Sequence, residues 1–218
     1  MANEISIKSL IISPHVDDEV LGCGGILNER CFVYYCGIDE GQWNVTHNVV
    51  DPQRRIAVDR RFEELKSVAA YLKFKYECNF ESRVNLYTEG QFIPILERII
   101  NAIRPEKIFI PHPGYNQDHR CIYDAAMVAL RPHDKNFYVP KVLIYEAVHD
   151  VLWSPNGMTL NYFVPIDIEK KIKAYELHAS QVRSFRSSDM LRRVAKLRGD
   201  MAKQEYAEAF QIVRWVES

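Results

Sequence analysis

Short apolar runs alternate with longer stretches of helical periodicity through the first two thirds of the chain, and this alternation narrows the fold more than any other feature. Leu10-Ile11-Ile12, Cys31-Phe32-Val33-Tyr34-Tyr35, Lys107-Ile108-Phe109-Ile110 and Val142-Leu143-Ile144-Tyr145 read as strands. Runs this continuously apolar suit strands covered on both faces, as in a parallel sheet. Between them, Phe62, Leu65, Ala69 and Leu72 recur at helical spacing in a segment that runs from Pro52. Phe92, Ile95, Leu96, Ile99, Ile100 and Ile103 define a second helix, closed by Arg104-Pro105, and residues 120 to 131 a third. Strand–helix–strand units of this kind predict an α/β fold, a Rossmann-like three-layer sandwich whose mostly parallel sheet carries helices on both faces.

Beyond Tyr145 the character changes. Trp153-Ser-Pro-Asn-Gly is a turn-rich loop, Asp167 fits the N-cap of a charged helix reaching roughly Gln181, and another helix covers about 188 to 203. No linker-like stretch intervenes. The expectation is one domain over residues 1–218, with an α/β core at 1–147 and a capping loop and helices at 148–218.

Composition bears on partners and compartment. The net charge of -1 gives no electrostatic reason to expect nucleic acid or an acidic membrane surface. The basic pairs Arg54-Arg55, Arg60-Arg61 and Arg192-Arg193 sit beside acids and read as solvated helix faces. No apolar run approaches the ~20 residues that span a bilayer, and Met1-Ala-Asn-Glu-Ile-Ser-Ile-Lys lacks the pattern of a secretory signal. The five cysteines form no C-x-x-C pair, against both a disulfide framework and a cysteine zinc knuckle. A reducing cytoplasm is the expected location. Oligomeric state is not legible.

Two polar segments follow directly on strands, where open parallel sheets bind ligands. The first is Ser13-Pro14-His15-Val16-Asp17-Asp18-Glu19. Where a strand turns into a helix, residues three apart share a face, so His15 and Asp18 suit two ligands of one ion. Asp17 points elsewhere and stays free to accept a proton, as a general base must. The second is His112-Pro-Gly-Tyr-Asn-Gln-Asp118-His119-Arg120, which offers a histidine at either end. Two imidazoles and one carboxylate leave a coordination position open, the arrangement of catalytic rather than structural zinc. Each segment alone has a plainer reading: acids at a helix start complement its dipole, and surface histidines are common. Their joint placement at two strand ends favours the site.

In these residues the chain resembles the zinc-dependent de-N-acetylases typified by the enzyme acting on N-acetylglucosaminyl-phosphatidylinositol, the LmbE-like proteins. Pro14-His15-Val16-Asp17-Asp18-Glu19 is similar to that family's first signature and Asp118-His119 to the end of its second. Arg60-Arg61-Phe62-Glu63-Glu64, Tyr175-Glu-Leu-His178-Ala-Ser-Gln181 and Tyr206-Ala-Glu-Ala-Phe210 resemble later elements in the same order. The resemblance implies that His15, Asp18 and His119 bind the metal, zinc or another divalent ion such as ferrous iron. It implies that Asp17 is the base, that Arg61 (or Arg60) contacts substrate, and that His178 borders the pocket. The implied activity is removal of an N-acyl group, N-acetyl above all, from an amino sugar or glycoconjugate. Val16 stands where a proline is usual. Asn116 stands where many members place a histidine that supports the oxyanion, which leaves Tyr115 or Asn116 to do so here.

Competing readings are a non-catalytic sugar- or metal-binding protein, and a nucleotide-binding oxidoreductase suggested by Gly22-Cys23-Gly24-Gly25. Retention of Asp17 argues against the first, since a binder needs no such carboxylate. The glycine spacing is not G-x-G-x-x-G and acids precede it, which argues against the second. Trp43, Tyr115 and Trp153 are candidates for stacking on a sugar ring.

Overall fold

In the computed structural model, which describes residues 6–39, 58–153 and 157–217, seven strands form one sheet. They are β1 (Ser9–Ser13), β2 (Cys31–Tyr35), β3 (Lys75–Cys78), β4 (Lys107–Pro111), β5 (Lys141–Tyr145), β6 (Tyr162–Pro165) and β7 (Ala207–Trp215). Their spatial order is β3-β2-β1-β4-β5-β7-β6. The first five are parallel, while β7 runs antiparallel to β5 and β6 antiparallel to β7. The chain travels outward from β1 through β2 to β3, then returns to place β4 on the other side of β1. That reversal is the topological switch point at which α/β sheets open a crevice beyond their carboxyl ends.

Helices α1 (Asp18–Cys23), α2 (Val58–Leu72), α3 (Glu89–Ile103), α4 (Gln117–Ala129), α5 (Val148–Leu152), α6 (Ile168–Leu177) and α7 (Ser188–Met201) complete the fold. Strand residues alternate between two cores, because successive side chains point to opposite faces. Ile11, Val33, Tyr35, Phe109, Leu143 and Tyr145 pack with residues of α1, α2, α6 and α7. Leu10, Ile12, Tyr34, Ile108, Ile110, Val142 and Ile144 pack with α3 and α4. The expected sandwich, with helices on both faces, is the one observed. Gly22 marks a close approach and not a nucleotide loop: a Cβ there would lie 2.1 Å from the Tyr145 ring.

The segment after Tyr145 is more than a cap of loop and helices, since it also contributes β6 and β7 to the sheet. β7 escapes a periodicity reading because Glu208, a charge, occupies a buried strand position, neutralised by Lys171 Nζ at 2.7 Å. The charged helix after Asp167 ends at Leu177, earlier than its sequence suggests. Asp167 does cap it, accepting the Lys170 N–H at 3.0 Å. The stretch from Pro52 to Ala57, Trp43, and Ser154 to Asn156 lie outside the described residues. Among the described residues no helix is long and apolar enough to cross a membrane.

Candidate active site

The turns after β1 and β4 meet at the switch point, and they carry both polar segments. At the first, the chain must leave a strand and start α1 within four residues. Asp17 absorbs the change of direction with φ 139° and ψ -25°, a left-handed conformation for a residue with a side chain. Strain of this kind costs on the order of 1–3 kcal/mol and persists only where neighbours impose it. Here the Asp17 carbonyl accepts the Val20 and Leu21 N–H groups at 3.1 and 3.0 Å, and its own N–H donates to Glu19 Oε2 at 3.0 Å. Glu19 Oε1 lies 2.7 Å from His178 Nε2, with neither side chain exposed. Arg186 Nη1 donates to Asp17 Oδ2 at 2.8 Å, covering a carboxylate that is itself buried.

Beside Asp17 three donor groups converge. Asp18 Oδ2 lies 3.2 Å from His15 Nδ1 and 3.0 Å from His119 Nε2, and the ligand atoms of His15, Asp18 and His119 all fall within 4.8 Å of one another. Asp118 Oδ2, held by the Asn85 N–H at 2.7 Å, contacts His15 Nε2 at 2.9 Å. It thereby turns Nδ1 inward, the usual service of a carboxylate behind a ligating imidazole. Two imidazoles and one carboxylate, buried and oriented from behind, are a donor set that fits one divalent ion.

This arrangement sets a pH dependence. Burial alone would disfavour the His15 imidazolium, but the Asp118 and Asp18 carboxylates outweigh it and raise the ring to about 9 from an ordinary 6.5. Because the folded value is the higher one, the stabilisation is fully present below about pH 6.5 and is lost as pH rises through about 9. Chelator-treated protein is therefore expected to melt lower at pH 9.5 than at pH 6.5, and His15→Gln should flatten that dependence in a calorimetric series. A divalent ion needs the neutral ring, so metal uptake near neutrality should release a proton, measurable with a pH indicator.

A further histidine stands at the rim. His149, on α5, packs its ring 5.5 Å from His119 and 5.9 Å from Tyr115, at 69° and 70°. Burial, first, holds its imidazole below the ordinary range, against the pull of Asp150 and Asp18. Helix α5 lies close against the second loop. Asp150 Oδ2 accepts the Ala147 N–H at 2.9 Å, and a Cβ on Gly114 (φ 43°) would lie 2.5 Å from Asp150 Oδ1. Only glycine permits that contact.

The family model for GlcNAc-PI de-N-acetylases (PIG-L) matches residues 10–130, which hold both ligand-bearing turns. The chain belongs to this family. Similar solved structures agree in fold over nearly the whole chain. A deacetylase triple mutant of the teicoplanin biosynthetic pathway superposes with a TM-score of 0.73 at 21% identity, covering 97% of this chain and 100% of that one. GalB, the 4-carboxy-2-hydroxymuconate hydratase from Pseudomonas putida KT2440, gives 0.72 at 22%, covering 97% and 99%. The N,N'-diacetylchitobiose deacetylase from Pyrococcus horikoshii gives 0.70 at 20%, covering 95% and 84%. No curated protein matches the sequence significantly.

Within this de-N-acetylase family member, His15 and Asp18 come together as their spacing suggested, and His119, the histidine that the resemblance implied, joins them. His112 does not join them: its Nδ1 accepts the Gly114 N–H at 3.1 Å and faces Asp150 at 3.8 Å. Arg61 is the inward member of its pair, buried and 3.5 Å from the Ile38 carbonyl, whereas Arg60 is exposed and bonds Glu64 at 3.2 Å. One expectation needs correction. His178 is not on the pocket wall, because Glu19 draws its ring into the interior, leaving it 0% exposed. Asn116 spends its side-chain oxygen as the N-cap of α4, accepting from Asp118 N at 2.8 Å and His119 N at 3.4 Å. Asn116→Ala should accordingly cost about 1 kcal/mol of stability, read as a lower denaturant midpoint. Tyr115 is 48% exposed at the rim.

Two residues of the site escaped the sequence reading. Arg186 carries no local signal, since only the tertiary fold brings it across to Asp17. His149 had one: Glu146, His149 and Asp150 form a polar group just past β5, the same strand-end placement that marks the first two segments.

Proposed function

We propose that the protein is a divalent-metal-dependent N-deacetylase acting on an amino sugar or glycoconjugate. The reading is carried by Asp17, the residue before Asp18, whose buried carboxylate is held by Arg186 and is not one of the three clustered donor groups. A divalent ion held there supplies Lewis-acid polarisation of the acyl carbonyl and makes water more acidic. Asp17 takes a proton from the attacking water as its oxygen adds to the acyl carbon, and the carbonyl becomes an oxyanion. When that intermediate collapses, the C–N bond breaks and protonated Asp17 returns the proton to the departing nitrogen. The products are a free amine and acetate. Arg186 fixes the carboxylate by its 2.8 Å contact, and Arg61, the inward member of its pair, is assigned the substrate contact that the family resemblance implies. Exposed Tyr115, Trp153 and Phe185, each within a few residues of a group in the site, support a sugar ring or an apolar glycoconjugate as occupant.

Fold alone does not select this chemistry, because a hydratase shares it. The test is acetate release from a panel of N-acetyl sugars, chito-oligosaccharides and N-acylated glycopeptides, using protein separately loaded with zinc and ferrous iron. Acetate produced in proportion to metal supports the reading. A fully loaded protein that releases none would overturn it, leaving a binder if the sugars bind and a hydratase if an unsaturated dicarboxylate is hydrated.

A further inference from the structure

We infer that His149, which lies outside both ligand-bearing loops, donates the hydrogen bond that steadies the oxyanion during amide attack. The assignment rests on the deacetylase reading above. Other polar groups near the candidate ligands already have partners: Arg186 contacts Asp17 and His178 contacts Glu19, while the Asn116 side chain is oriented by its oxygen's role as the α4 cap. His149 is different. Its side chain is 15% exposed, and Asp150 Oδ1, the carboxylate near it, is 3.9 Å from Nε2, too far for a hydrogen bond. No described residue supplies either ring nitrogen with a partner. The ring nitrogens therefore have no partner among the described residues to compete with a group that arrives in the site.

Position and rigidity fit that role. The ring is wedged between His119, a ligand candidate, and Tyr115, at the rim, so it borders the space where the acyl group must sit. The Asp150 cap orders the start of α5 and the loop passes close beside it at Gly114, and a donor that is fixed beforehand needs no reorganisation as charge develops. In the step itself the water oxygen bonds to the acyl carbon, and the carbonyl π pair moves onto the oxygen. The His149 N–H donates to that oxygen without transferring its proton.

The test compares wild type with His149→Phe and His149→Gln, measuring kcat, KM, metal stoichiometry and affinity for a methylphosphonamidate analogue of an N-acetyl amino sugar. That analogue carries a tetrahedral anion where the oxyanion would form. Phenylalanine keeps the ring contacts and removes the donor. We expect full metal, KM within about threefold, and parallel losses of ~100-fold in kcat and analogue affinity. Glutamine restores an N–H and should recover about tenfold of that loss. A Phe variant within threefold of wild type in kcat and analogue affinity overturns the assignment. So does a loss that tracks missing metal, which would make His149 a packing support for His119. Wild type that turns over no N-acetyl substrate would instead remove the deacetylase reading, and this assignment with it.

Discussion

Metal content is expected to collapse in His15→Ala, Asp18→Ala and His119→Ala and to survive in His112→Ala. The three ligand candidates share one point in space, Asp18 Oδ2, which lies 3.2 Å from one imidazole and 3.0 Å from the other. Removing any of them leaves two donors. Loss of a supporting residue alone typically costs 10–100-fold in affinity, so loss of a ligand should cost more than ~100-fold. Asp118→Asn provides the intermediate case: it weakens the grip on His15 Nε2 without deleting a donor to the ion, and should fall within the 10–100-fold range. Elemental analysis after dialysis reads all five variants. Full metal in His119→Ala, with loss in His112→Ala, would move the ligand to the start of the loop.

The second large effect separates proton transfer from metal binding. Asp17→Asn keeps the size of the side chain and its hydrogen bond from Arg186, but cannot accept a proton. It should retain metal and lose at least ~100-fold in kcat. Activity near wild type in this variant would remove Asp17 from the mechanism. Glu19 is poorly placed to replace it, being fully buried and engaged by both His178 and the Asp17 N–H.

The sheet was legible because its parallel strands are apolar on both faces, and the candidate site because the clustered His15, Asp18 and His119 sit at strand ends within two short segments. Legibility failed where a residue's surroundings come from distant parts of the chain. Glu208 hid β7, since a buried charge looks like a surface residue until Lys171 is seen beside it. The four-residue β3, Lys75-Tyr-Glu-Cys, has too little apolar character to register. That the Asn116 oxygen caps α4 was not read either, because a side chain's direction depends on loop turns that spacing does not encode. Arg186 and Asp17 are 169 residues apart, beyond any local pattern.

That last separation has a consequence for how the working site comes into being. The candidate metal ligands and their supporting Asp118 all lie within the first 119 residues. The Asp17 N–H is held by Glu19, which His178 engages from 159 positions downstream of Glu19, and the Asp17 carboxylate is held by Arg186, 169 positions beyond Asp17. During synthesis, then, the ion's donors emerge well before the two residues that lock the base. A nascent chain stalled short of Arg186 contains every metal donor and lacks the grip on its base. The candidate donors and the residues that secure Asp17 are thus written into different stretches of the message, the second downstream of the first.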